Sequence, residues 1–395
     1  MIDVAALRSA EFPVTERYTY LNHASLGPLP RRTTAALTEL LADFSRRGVL
    51  AEARWMPAVE RVRRLVSRLL NVEAEDIALV KNTSEGLGLI AAGLPWRPGD
   101  VVISAAGEFP ANIYPWLALA DQDVDTRLVP LREGRIKPED IAAAIDSAEG
   151  RARLVSLSWV QYHNGFRCDL AALGAICRER GVLFGIDAIQ GAGVLPLDLQ
   201  VTPVDFCAFG CHKWMLSPQG SGAIFLSANL RSLLRPINTG WLGVDWEDYS
   251  AFDYASPLKS GAARYEEGTR SLLGIAGLEQ SLGLLCEIGV ETIARRLQML
   301  TSRLVQGLLA CGVEVYTPLD PACRSGIVSF AVPGAAGYDS RQATAALFEA
   351  LKKQRIVTAL RQGAIRISPH VYNTEEEIDL VLDVVSRHLR LRVAV

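Results

Sequence analysis

The chain has 395 residues, 49% hydrophobic and 22% charged, with a formal net charge of −3. That length accommodates two domains with a sizeable core, and the near-neutral balance gives no electrostatic reason to expect nucleic acid or an anionic membrane as a partner. The seven cysteines are scattered without metal-ligand spacing, so neither a metal centre nor a disulfide framework is expected. The opening MIDVAALRSAEF carries acids and no long apolar run, and no stretch approaches the roughly 20 apolar residues of a membrane span, so a cytoplasmic, reducing location is expected.

Residues 1–19 read as a short helix and an extended lead-in. Next comes Tyr20–Pro30 (YLNHASLGPLP), a strand end breaking into a Gly/Pro turn in which Asn22 and His23 either face a substrate or cap the following helix. Met56–Leu70 sets Val59, Val62, Val66 and Leu69 at helical spacing, as a core-facing amphipathic helix does. Ile77–Val80 is a short buried strand, and Lys81-Asn82-Thr83-Ser84-Glu85-Gly86 follows it. Free N–H groups and the dipole of a helix beginning near Glu85 would make that turn an anion site, although Thr and Ser are also ordinary N-caps. Val101–Ser104 is the next strand, followed by Gly107–Asn112, where Phe109 either stacks on a ring or simply joins the core. Leu154–Trp159 is a strand that runs into the turn Val160–Gly165, and Cys168–Arg180 is a connecting helix.

Val182–Asp187 is a strand ending in an acid. Asp205–Phe209 is another, and Cys211-His212-Lys213-Trp214 stands in the turn beyond it. Desolvation in such apolar and aromatic surroundings disfavours an ammonium and leaves a nucleophilic amine, which is what a Schiff-base lysine requires. An aspartate at the end of the preceding strand can keep a pyridinium nitrogen protonated. Strand and helix alternate throughout 77–222, which predicts a mostly parallel sheet with ligands at the carboxyl ends of its strands. From about Leu282 the character changes. Ile293, Leu297, Leu300, Leu304 and Leu308 mark a long amphipathic helix; strands near Val313–Tyr316, Ile327–Ala331 and Ile356 follow, with a helix at Arg341–Lys353. Thr374 and Glu377 form a capping box at the head of a closing helix.

The set DAIQ (Asp187–Gln190), FGCHKW (Phe209–Trp214) and the Gly-rich segment after it resembles the pyridoxal 5'-phosphate (PLP) enzymes of fold type I, and more narrowly the class V aminotransferase family of cysteine desulfurases, selenocysteine lyases, kynureninases and isopenicillin N epimerase-like proteins. The resemblance runs from Tyr20 to about Leu389. It implies an α/β large domain at 20–281 on a seven-stranded-type, mostly parallel sheet, an α+β small domain at 282–395, and a segment 1–19 packed on the latter. It also implies Lys213 as the PLP lysine, Asp187 at the ring nitrogen, and Phe109 against the ring face. Thr83, Ser84 and His212 would lie at the phosphate, and Asn164 and Gln190 near the phenolic oxygen. Position 210, usually a hydroxyl residue in desulfurases, is a glycine here. Arg264–Thr269 resembles a loop whose Thr269 reaches the phosphate of a second subunit, which implies a homodimer. Arg366 matches the arginine that grips the substrate α-carboxylate, with Asn22, His23 and Trp241 bordering the substrate.

Desulfurases place a nucleophilic Cys shortly before that arginine. Here Thr358–Gly363 leads into Arg366 without one, and Arg361 stands at the expected entrance. The resemblance therefore implies action on a small-molecule amino acid through an external aldimine and quinonoid. Transamination or C–S β-elimination is expected, with epimerisation as the alternative. A non-catalytic PLP scaffold would have no use for a carboxylate clamp, and no GxGxxG supports a dinucleotide enzyme.

Overall fold

The computed structural model describes residues 3–246, 254–334 and 339–393. Its centre is a seven-stranded sheet whose spatial order is Ile77–Val80, Gly222–Leu226, Phe206–Gly210, Leu183–Asp187, Ala152–Ser158, Val101–Ala105 and Asp125–Val129. Gly222–Leu226 runs antiparallel to both of its neighbours; the other pairings are parallel. The inner strands are mostly apolar because both faces are covered. Val101, Ile103, Val155, Leu157, Phe184, Ile186 and Phe209 enter one core cluster. Their alternates Val102, Leu154, Leu183, Phe206, Ala208 and Ile224 enter the cluster on the other face.

The second unit is a four-stranded antiparallel sheet, in the order Ala359–Arg361, Ala364–Ile367, Val328–Ala331, Glu314–Val315. The stripes of helices Val290–Ala310, Ser340–Lys353 and Glu375–Val393 join its core, with Leu300, Leu304, Phe330, Leu347, Ile365, Ile367, Val381 and Val385 buried together. The helix Leu272–Ile288 continues straight through position 282, so the change of direction falls at Gly289, where φ is +86° and the next helix departs at 77°. Segment 358–363 is a strand and a tight turn, with Gln362 and Gly363 at φ 51° and 82°, as a two-residue hairpin requires.

The N-terminal segment ties into this second unit. Thr19–Tyr20 pairs in parallel with Ile356–Val357. Arg8 forms a two-nitrogen ion pair with Glu377 at 3.0 and 3.1 Å, and Phe12 stacks on Tyr372 with ring centroids 3.9 Å apart.

Candidate active site

The loops leaving the carboxyl ends of Val101–Ala105, Ala152–Ser158, Leu183–Asp187 and Phe206–Gly210 converge on a cavity of about 270 Å³. The hairpin Ala359–Ile367 of the second unit and the loop near Ser25 close it, and Asn82, Thr83, Ser84, Phe109, Tyr162, Asp187, Gln190, His212, Lys213, Arg361 and Arg366 all line it.

Lys213 reaches the cavity from a turn held by Leu216 N–H to its carbonyl (3.2 Å) and by Gly27 N–H to the carbonyl of His212 (2.9 Å). A Cβ on Gly27 would lie 2.2 Å from the Lys213 carbonyl oxygen, so only glycine lets the Tyr20–Pro30 loop seat against the turn. The Lys213 Nζ stands 5.6 Å from the centre of the Phe109 ring. Asp187 is buried and accepts the Ile189 N–H at 2.9 Å. Burial pushes its carboxyl above the ordinary range against the pull of Lys213. Burial likewise lowers the Lys213 ammonium, and Arg366 and Arg361 lower it further, with Asp187 opposing.

At the opposite end, the helix Thr83–Gly93 points its N-terminus into the cavity. Asn82 caps the Glu85 N–H at 2.9 Å, leaving the first-turn N–H groups of Thr83 and Ser84 for an anion. Thr83 Oγ1 accepts the Gly210 N–H at 2.9 Å, which fastens the helix start to the strand that carries the lysine. A Cβ at position 210 would meet His212 Nδ1 at 3.2 Å, so the glycine makes room for the imidazole. Burial and Lys213 hold that imidazole below its ordinary value.

Arg366 is buried. It donates to the Tyr162 carbonyl and to Ser25 Oγ, both at 2.7 Å, while its Nε is buried without a partner. Among the described residues it makes no ion pair. Burial, then Arg361, hold its guanidinium down to about 10. Gln190 lines the cavity, but its amide is spent on the Ala24 carbonyl (3.0 Å) and the Trp214 indole N–H (2.8 Å).

Four residues expected at the site, Asn164, His23, Asn22 and Trp241, do not reach the cavity, and Thr269, expected at the phosphate of a second subunit, lies apart from it. Asn164 is buried against Gly134 O (2.7 Å) and Phe166 N (3.0 Å), because the turn doubles back through Gly165 N to Gln161 O; Tyr162 points inward instead. His23 is fully buried, its Nδ1 on Ser368 O and its Nε2 on the Tyr372 hydroxyl, both at 2.8 Å. Asn22 bridges Ser368 along the inserted strand, and its Oδ1 is buried without a partner. Neither caps the helix Arg31–Arg47, whose N-cap is Pro30. Thr269 lines a separate cavity of about 450 Å³ beside Lys81 and Glu85. Half-exposed Trp241 lies beside Gly268, next to that cavity.

Two features of the site escaped the sequence reading. Tyr162 forms one wall: its ring sits edge-on to Phe109 at 5.3 Å, and its hydroxyl accepts from Gln362 Nε2 at 2.8 Å. Glu108 is a buried carboxylate that accepts from Ser158 N (2.8 Å), Ser158 Oγ and Gln161 Nε2 (2.8 Å); burial raises its proton affinity. It ties the segment that carries Phe109 to the strand end beneath. Position in a strand-end loop was the available signal for both.

The sequence profile of the class-V aminotransferases matches residues 19–381. A probable cysteine desulfurase of Methanothermobacter thermautotrophicus is 30% identical over 387 residues, with 94% of each chain covered. The isopenicillin N epimerase of Streptomyces clavuligerus is 30% identical over 379 residues, covering 92% of this chain and 93% of that protein. Among solved structures, the cystine C–S lyase C-DES in complex with cysteine persulfide superposes with a TM-score of 0.85 at 26% identity, covering 95% of this chain and 99% of that one. Fold and site together define a fold type I, PLP-dependent enzyme, a transferase or lyase. The chain belongs to the class V aminotransferase family, and pyridoxal 5'-phosphate is its cofactor. The donor set fits that group: a helix N-terminus for the phosphate, a buried carboxylate for the ring nitrogen, an aromatic face and a desolvated lysine.

Proposed function

We propose that the protein is a PLP-dependent β-lyase that eliminates a sulfur substituent from a small-molecule amino acid without forming a persulfide on its own chain. The observation that carries this reading is the absence of a thiol from the cavity lining. Cys168, Cys177, Cys207 and Cys211 are buried elsewhere, and none of the other three described cysteines lines the site. Phe109, moreover, can neither donate nor accept a proton. The departing sulfur therefore leaves in a small molecule. The similarity to a cystine C–S lyase supports the same reading.

In this reading the helix start at Thr83 and Ser84, with His212, holds the cofactor phosphate. Phe109 packs on the ring face, Asp187 keeps the ring nitrogen protonated, and Gln190 braces Trp214 behind the lysine. Bound PLP supplies the electron sink that lowers the cost of a carbanion at Cα. Lys213 would hold the cofactor, and its side chain, an amine of reduced proton affinity, would take the Cα proton of a bound amino acid. Arg366 fixes the α-carboxylate through a guanidinium fork suited to two oxygens. Thr269, with Trp241 beside it, serves the phosphate of a second copy. A dimer by sedimentation, with cofactor retention lost in Thr269→Ala, tests that part.

The deciding experiment incubates the PLP-loaded protein with S-substituted L-cysteines and analyses the products. Pyruvate, ammonia and a thiol in equal amounts are expected. A keto acid that keeps the sulfur would make it a transaminase, and accumulation of the D-isomer would make it an epimerase, as the relative from Streptomyces clavuligerus is named.

A further inference from the structure

We infer that the site takes an amino acid whose side chain ends in a second carboxylate-like anion, received by Arg361 while Arg366 holds the α-carboxylate; the inference rests on the amino-acid reading above and narrows it. The hairpin sets the two arginines together. Ala359 pairs with Arg366 and Arg361 with Ala364. Paired residues share a face of the ladder, so Arg361 and Arg366 are diagonal neighbours on one face, with Cα atoms about 7–8 Å apart in such pairs. Both line the lysine cavity.

Among the described residues, no acid neutralises either guanidinium. Arg366 spends two nitrogens on a carbonyl and a hydroxyl and keeps a buried, unpartnered Nε. Arg361 is exposed at the rim and, among the described residues, donates only to the carbonyl of Leu360, at 3.2 Å in its own strand. Among the described residues neither has an acid within ion-pair range, although Arg8, Arg63 and Arg296 each have one. Among the described residues, the one carboxylate that lines the cavity is Asp187, opposite Lys213 in charge and assigned to the cofactor ring. Arg361 also depresses the guanidinium of Arg366 and the ammonium of Lys213, so its charge is felt inside the site. An α-carboxylate satisfies one guanidinium. A substrate with a neutral side chain would leave the second uncompensated, whereas one with an anionic end fills both.

The test uses probes of matched shape that differ in charge, on the PLP-loaded protein: S-carboxymethyl-L-cysteine against S-carbamoylmethyl-L-cysteine for turnover, and glutarate against glutaramate for calorimetric binding. The acid of each pair is expected to be favoured about tenfold or more at low salt, as for an unscreened charge pair at a binding site. Arg361→Gln should collapse the preference in both measurements, and Arg361→Lys should retain part of it. Equal KM for acid and amide in the native protein, or a preference that survives Arg361→Gln, would overturn the inference. If no amino acid turns over while glutarate still binds in an Arg361-dependent way, the amino-acid reading fails and the second-anion site stands. Failure of both turnover and binding sinks both.

Discussion

Lys213 and Arg366 are two cations whose neighbours make them unlike surface cations. Lys213 has lost water to Phe109 and the strand ends, and two guanidiniums add to the cost of its charge, so more of it is amine at neutral pH than in an exposed lysine. Lys213→Ala should still fold, because the turn is held by backbone bonds and Gly27 rather than by the side chain. Borohydride treatment should then no longer fix PLP to the chain by mass spectrometry, and turnover should vanish. Normal turnover in this variant would refute the assignment. Arg366 is buried and already oriented by Tyr162 and Ser25, so a substrate carboxylate meets a fork held in place. Arg366→Ala should raise KM for amino acids about 100-fold, in keeping with the 2–5 kcal/mol typical of removing one partner of a buried charged pair. Lys at this position should recover little of it, since an ammonium cannot bind two oxygens side by side. An unchanged KM would place the clamp elsewhere.

At the scale of elements, the helix Thr83–Gly93 joins cofactor binding to stability through one residue. Asn82 caps its first turn at 2.9 Å and also lines the cavity. Asn82→Ala should cost about 1 kcal/mol of stability and weaken PLP retention by severalfold. Thermal melts with and without PLP measure both, and a variant that loses neither would show that the cap is incidental. Elements whose signals are local were legible in the sequence. The apolar strands at Val101, Leu154 and Leu183 are where expected, and the box at Thr374 forms with reciprocal bonds, Glu377 N to Thr374 Oγ1 at 3.3 Å and Thr374 N to Glu377 Oε2 at 3.0 Å. The edge strand Asp125–Val129 was not, because its exposed polar residues carry no apolar run. Side-chain direction in turns was not legible either. The motif around Asn164 was found, but a reversal closed by Gln161 and Gly165 turns Asn164 away and leaves Tyr162 facing the site. His23 reads as a loop residue until the parallel insertion beside Ile356 buries it, a pairing more than 300 positions distant in sequence.

At the scale of the whole molecule, the two units meet through buried aromatic residues directly behind the lysine. His370, from the second unit, lies against Trp214, the residue after Lys213. Val371 N–H donates to His370 Nδ1 at 2.9 Å, so His370 Nε2 carries the proton and donates to the Trp214 carbonyl at 3.0 Å. His23 has the opposite tautomer: its Nδ1–H donates to Ser368 O, and its Nε2 accepts the Tyr372 hydroxyl. Both rings are buried and neutral. Burial lowers His370 to about 4, and burial together with His370 holds His23 well below its usual value. As pH falls below about 6.5 the unfolded chain protonates these imidazoles while the folded chain does not, so stability drains away until the folded value is reached. For His370 the interval from about 6.5 to about 4 corresponds to roughly 3 kcal/mol at about 1.4 kcal/mol per pH unit. Buried Glu108 works in the other direction, since its raised proton affinity favours the folded chain as pH falls. A single-site comparison separates the two. In His370→Gln the amide can keep the donor to Trp214 but cannot titrate, so urea midpoints should fall less steeply between pH 6.5 and 4 than in the native protein. The difference should widen to about 3 kcal/mol at the acid end. Parallel pH profiles would mean that His370 does not stay neutral in the folded state, and that acid does not loosen the junction behind Lys213 through this ring.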